Sequence, residues 1–165
     1  MAGCRVSGAG NRRGFTLIEL VITVAIVALL ASVALPVSEL AVQRTQEQEL
    51  RRTLRQIRDA IDLYKQASDE GRIQKSVGDS GYPKKLEALA VGVDDQKSPK
   101  KEKIYFLRRI PRDPLNADPT LSAAATWGKR SYASPPDDPS EGDDVFDVFS
   151  LAQGKGINGQ PYRDW

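Results

Sequence analysis

The chain has no histidine and a single cysteine, Cys4. Without histidine, Ser-His-Asp chemistry and most zinc sites are closed to it. One cysteine makes no intramolecular disulfide and no CxxC redox pair. A lipoprotein acylation site needs an apolar segment before the cysteine, and residues 1–3 do not supply one. No acid stands among Arg5, Arg12 and Arg13, and residues 20–38 carry no charge of either sign. A basic excess is missing too. Taking those three arginines from the 24 basic residues leaves 21 against 22 acids, a net charge of −1 after residue 14. A body so near neutrality offers no clustered basic face for nucleic acid. The arginines of residues 44–58 are interleaved with Glu47 and Glu49 and followed by Asp59, which reads as a solvated helix face. No internal repeat is visible.

The 165 residues allow one compact domain and one extra element. The extra element is the apolar run over residues 15–37. A bilayer core of about 30 Å needs about 20 helical residues at about 1.5 Å each, and the run meets that length. Its β-branched residues would suit a buried strand, but it is far too long for one. The preceding arginines predict a cytoplasmic N-terminus and an external C-terminal body. A secretory signal peptide has an apolar core of about 7–15 residues and a small-x-small cleavage site. Ala31-Ser32-Val33-Ala34 offers such a site, but the core is too long and holds an acid near its start.

That acid, Glu19, also argues against a simple anchor. Charged groups within a membrane cost about 2.5–3.5 kcal/mol on insertion scales and usually have a partner and a function. No Lys or Arg follows Glu19 at helical spacing, and Arg13 lies six residues before it. A cut after Gly14 would place a new α-ammonium on Phe15, able to pair with Glu19 of the same or a neighbouring subunit. Glu19 lying wet at headgroup level remains the alternative.

The stretch Arg12-Arg13-Gly14-Phe15-Thr16-Leu17-Ile18-Glu19-Leu20 resembles the processing site of the type IV pilin and type II secretion pseudopilin superfamily. The resemblance implies cleavage after Gly14 by a prepilin peptidase and N-methylation of Phe15 by the same enzyme. It also implies that Glu19 neutralises the N-terminus of an adjacent subunit during assembly. Pro36 matches a helix-kinking proline common in the family. Glycine at the cut suits close approach of a peptidase to the backbone. Such a cut removes the charged leader, residues 1–14, and keeps the apolar helix.

Beyond Pro36 the helical pattern continues. Leu50, Leu54, Ile57, Ile61 and Tyr64 form one apolar stripe, with Arg51, Arg52, Arg55 and Arg58 largely off it. One helix is predicted from Phe15 to about Ser68, ending near Gly71. Residues 69–81 read as a loop. Pro83 opens a short helix with Leu86, Leu89 and Ala90 inward. Residues 94–103 read as charged and exposed, 104–110 as an apolar patch, and 115–126 as a long loop. Two strands are predicted at 129–134 and 144–151, separated by a proline-rich turn at 135–139. In the second, Val145, Asp147 and Phe149 share one face, and Phe146, Val148 and Ser150 the other. Tyr162 and Trp165 read as packing anchors. Asp143, Asp144 and Asp147 are the only carboxylate group that invites a catalytic reading; a polar strand face is the plainer one.

The order of these pieces is similar to the major, G-type pseudopilins of type II secretion. The likeness lies in Tyr82-Pro83, Ile110-Pro111-Arg112-Asp113-Pro114, Trp127-Gly128 before Tyr132, residues 145–151, and the ending Tyr162-Arg163-Asp164-Trp165. There are two departures. Residues 115–126 intervene where Trp-Gly usually follows Asp-Pro at once. The family's acid-bearing calcium loop after Ser-Leu finds no carboxylate in residues 150–159 here, and Lys155 is unfavourable for a cation. No metal or other cofactor is therefore assigned, with calcium left as an alternative for which Asp164 and the Asp143-Asp144 pair are the nearby candidate ligands. Without calcium, hydrogen bonds within the Gly-rich loop must hold the C-terminus.

The expected architecture is α+β: a long N-terminal helix, apolar then amphipathic, on a small domain with short helices and a small antiparallel sheet. Residues 1–14 would be a removed leader, 15–37 the transmembrane and assembly helix, and 38–165 a periplasmic domain. By resemblance, the chain is a non-enzymatic, single-pass inner-membrane subunit of a Gram-negative-type bacterium. It would polymerise with itself and act with prepilin peptidase, other pseudopilins and an inner-membrane assembly platform in protein export. The alternative is a type IV pilus subunit for adhesion, motility or DNA uptake.

Overall fold

A computed structural model of the chain describes residues 14–165, with the side chains of residues 33–38 outside that description. The leader before Gly14 and the side chain of Pro36 therefore lie outside the described residues. The architecture is α+β, as expected, and divides into two units, residues 1–41 and 42–165.

One helix, α1, runs over Leu17–Asp69 and includes position 36. It begins two residues later than predicted, because Thr16 acts as its cap: the Glu19 N–H donates to Thr16 Oγ1 at 3.3 Å. Its end is set by Gly71, whose φ of 72° is the left-handed conformation that glycine adopts without penalty. The Gly71 N–H donates to Ser68 O and the Arg72 N–H to Ala67 O, satisfying two of the last free carbonyls. Buried Ile73 then turns the chain back onto the core.

In the second unit, the predicted stripe is the core. Leu50, Leu54, Ile57, Ile61 and Tyr64 are buried against Leu86, Leu89, Leu107, Trp127, Val145 and Val148. Pro83 does not open a helix. Its carbonyl accepts from the Val145 N–H at 2.8 Å, which commits it to the segment before the last strand. The short helix α2 starts only at Ala88 and ends at Val91. Leu86 and Leu89 are nevertheless buried, as their spacing predicts. The charged stretch 94–103 is less open than expected. Strands β1 (Val93–Asp94) and β2 (Lys103–Ile104) pair antiparallel across it. Asp95 is buried beside Arg72, with Oδ2 2.6 Å from Nη2. The Arg72 guanidinium, with help from the Lys97 N–H, holds the Asp95 carboxyl below the usual carboxylate range.

The second sheet pairs β3 (Trp127–Arg130) with β4 (Asp147–Ser150), Trp127 opposite Ser150 and Arg130 opposite Asp147. β3 starts earlier and stops sooner than predicted. A short 3₁₀ turn, Ala123–Thr126, feeds straight into Trp127, so the intervening segment ends in structure. At the other end, Asp144 draws the chain out of the ladder. It accepts from the Ser131 hydroxyl and the Tyr132 N–H, as well as from Ser80. Burial opposes its charge, but these bonds prevail and hold its carboxyl below the usual range. The predicted alternation holds within β4, where Val148 and Ser150 face inward. It fails at Val145, which is buried as well. The displaced Phe146 instead packs edge-on to Tyr82, ring centroids 5.0 Å apart, and beside Tyr132.

Candidate processing and assembly segment

The first unit is described by itself. Gly14, Phe15 and Thr16 precede the helix in non-helical backbone. The Gly14–Phe15 peptide bond is therefore outside the α1 hydrogen-bond ladder, and both residues are exposed. A Cβ built at Gly14 meets nothing within 4 Å among the described residues. Packing among the described residues does not demand glycine there.

Thr16 and Glu19 form the first turn, with the cap's side chain on the third residue's N–H. Thr16 was missed in the sequence, although Thr-x-x-Glu ahead of an apolar run is a helix-start signature. Among the described residues the Glu19 carboxylate has no partner. From Leu17 to Leu30 the large apolar side chains are exposed all round the helix, from 51% at Ile22 to 81% at Leu17. An amphipathic surface helix would show one such face; this one shows every face. Its two described hydroxyls are satisfied internally, Thr23 Oγ1 donating to Leu20 O and Ser32 Oγ to Leu29 O. Neither presents an open polar group to an apolar neighbour. Glu19 is thus the one charged interruption in an uncovered apolar surface.

Among the described residues, no helix is long and apolar enough to cross a membrane. The described side chains break off at Ser32 and resume at Glu39, whereas the apolar sequence continues through Val37.

In the second unit, two of the three acids that invited a catalytic reading are occupied, and the third, Asp143, is exposed. Asp144 is held as above, and Asp147 pairs with Arg58 at 2.7 Å and with Arg130 at 3.4 Å. Arg58 also donates to Val148 O and to Trp165 O, tying α1 to β4 and to the C-terminal residue. Tyr162 and Trp165 pack together edge-on, with Arg51 4.3 Å above the indole. They are the packing anchors that their chemistry suggests.

The C-terminal loop is closed by its own backbone: the Gly156 N–H donates to Gln160 O and the Gly159 N–H to Gly156 O. Asn158 adds bonds to Gln160. A Cβ at Gly156 would lie 2.2 Å from Trp165 Cζ2, so the indole occupies the space a side chain would take. The loop is also held from outside. Glu47 on α1 is 7% exposed and accepts from the Ile157 N–H at 2.9 Å, the Tyr162 hydroxyl at 3.1 Å and Gln43 Nε2 at 3.0 Å. Glu47 was assigned to a solvated face. Its place three residues before Leu50 and seven before Leu54 is the signal that it continues the buried stripe. This donor set does not fit calcium, which takes six to eight oxygens, several of them anionic. Among the described residues no group of three or more acids, histidines or cysteines converges on one point.

Residues 10–35 match the model of the prokaryotic N-terminal methylation motif. The type II secretion system core protein G of Dickeya chrysanthemi is 25% identical over 154 residues, covering 90% of this chain and 94% of that protein. Core protein G of Klebsiella pneumoniae is 26% identical over 141 residues, covering 82% of this chain and 93% of its own length. No solved structure gives a significant match. With a methylation motif at its start and a likeness that runs through most of its body, the chain is similar to the type II secretion core G proteins of the type IV pilin-like superfamily.

Proposed function

We propose that the chain is a structural, non-enzymatic subunit of a type II secretion pseudopilus. Prepilin peptidase cuts after Gly14 and methylates the new N-terminus at Phe15. The apolar helix over residues 15–37 first holds the chain in the inner membrane, with residues 38–165 in the periplasm. The helix then leaves the membrane and packs against those of other copies in a helical filament. Other pseudopilins and an inner-membrane assembly platform are its partners. Repeated contacts between unlike faces, which never close into a ring, are what such a filament requires.

The observation that carries this reading is the helix uncovered on every face and interrupted only by Glu19, five residues after Gly14. Lipid covers such a surface before assembly, and sister helices cover it afterwards. The ammonium created at Phe15 supplies the missing partner for the carboxylate.

The test is Gly14→Val in the native host. Among the described residues nothing contacts a Cβ at this position, so their fold tolerates the substitution. The expected result is an uncut precursor in the membrane fraction and no filament. Unimpaired cleavage would put the processing site elsewhere. Deleting the chain should block release of folded proteins across the outer membrane and leave surface motility intact. The opposite pattern would favour a type IV pilus subunit, whose precursor chemistry is the same.

A further inference from the structure

The C-terminal loop sits where the resemblance implies a calcium site, yet its chemistry is wrong for a cation. Residues 151–160 contribute no carboxylate and one ammonium, Lys155. The negative charge comes from elsewhere in the chain. Glu47, from the core-facing stripe of α1, receives the Ile157 N–H and the Tyr162 hydroxyl on the same oxygen, Oε1. Gln43, one turn earlier, bridges that arrangement, donating to Glu47 Oε1 and to the Tyr162 hydroxyl oxygen at 3.1 Å. A carboxylate oxygen offers few acceptor positions, and three donors fill this one.

The other end of the loop is held without a metal too. Trp165 lies in the gap left by Gly156, under the Arg51 guanidinium, with its carbonyl bound by Arg58 Nη2 at 2.7 Å. Four side chains of one helix, Gln43, Glu47, Arg51 and Arg58, therefore do the fastening. Three of them, at 43, 47 and 51, are spaced by four, which places them on one strip of α1.

We infer that this chain closes its C-terminal loop with a metal-free clasp centred on Glu47, and that calcium neither binds the loop nor stabilises the protein. The inference builds on the pseudopilin reading, because that resemblance is what implies calcium. It fails separately. A calcium effect would overturn the clasp and leave the pseudopilin reading standing, whereas an uncut N-terminus would overturn the pseudopilin reading and leave the clasp.

The experiment uses the full chain in detergent, with two measurements. The first is thermal unfolding in EDTA and over a calcium chloride titration to millimolar concentration. The clasp predicts the same midpoint throughout. A saturable rise with calcium, reversed by EDTA, would overturn it. The second is hydrogen exchange at the Ile157 amide in wild type, Glu47→Gln and Glu47→Ala. Wild type should protect this amide in EDTA. Glu47→Ala, which has no acceptor, should lose that protection, and calcium should not restore it. Its unfolding midpoint should fall by roughly 2–8 °C, the shift expected for one such anchor in a domain of this size. Glu47→Gln keeps an acceptor oxygen and should retain part of the protection, so the outcome is readable if the alanine variant folds poorly. Full protection in Glu47→Ala, or its recovery on adding calcium, would contradict the assignment.

Discussion

Glu19→Ala is expected to abolish filament assembly while leaving the protein in the membrane. Glu19 is the one charged residue in an apolar surface that is exposed on every face, and its carboxylate has no partner among the described residues. Removing a charge from a membrane segment relieves a cost of about 2.5–3.5 kcal/mol, so insertion does not suffer. Assembly does. An ammonium and a carboxylate about 4 Å apart attract by about 4 kcal/mol at an effective dielectric constant near 20. Each added subunit would forgo that term and leave its own ammonium unpaired among apolar helices. A loss of about 4 kcal/mol is close to a thousandfold in affinity at every addition, which a growing polymer cannot absorb. Glu19→Gln separates the contributions, since it keeps the shape and drops the charge. Both variants should appear in the membrane pellet and be missing from sheared filaments. Filaments at normal levels in Glu19→Gln would sink the charge pairing.

The second large effect lies in the body. Asp113 is 1% exposed, at the end of the irregular Ile110-Pro111-Arg112-Asp113 segment. Its Oδ2 accepts from Ser150 Oγ at 2.5 Å and its Oδ1 from the Leu115 N–H at 2.8 Å. Its own N–H donates to Thr126 Oγ1, and both Ser150 and Thr126 are fully buried. One side chain thus joins this segment, the residues after it and strand β4. Asp113→Ala would leave the Ser150 hydroxyl and the Leu115 N–H without acceptors, at about 1–3 kcal/mol each. The expected loss of roughly 2–5 kcal/mol is a large share of the 5–15 kcal/mol that holds a typical domain together. Ser150→Ala alone should cost less. The double variant should fall short of the sum by about 1–3 kcal/mol, the signature of direct coupling. Asp138, exposed in the proline-rich loop 135–139, is the control and should change stability by less than about 0.5 kcal/mol when replaced by Ala. Equal effects at the two positions would remove Asp113 from its structural role.

These residues show which features are legible in a single sequence. The helix and its buried stripe were readable because hydropathy and a spacing of three and four are local properties. Gly14, Phe15 and Glu19 stood out as a motif for the same reason. Thr16 was equally local but hidden behind its neighbours' stronger signal. Asp113 and Glu47 were not readable as buried. Each is justified by a partner far along the chain, Ser150 for one and Ile157 and Tyr162 for the other. The start of β3 and the late start of α2 were misjudged likewise. Thr126, Asp144 and Val145 settle those boundaries through bonds that no periodicity encodes.

The central claim is that a peptidase makes this subunit by cutting one bond and leaving the apolar helix in place. The most direct test is N-terminal sequencing with intact mass analysis of the chain from its native membrane fraction. The account predicts a single species beginning at Phe15 and carrying one added methyl group. A chain intact from Met1, or one cut near Ala31-Ser32-Val33-Ala34 with its apolar helix lost, would contradict it.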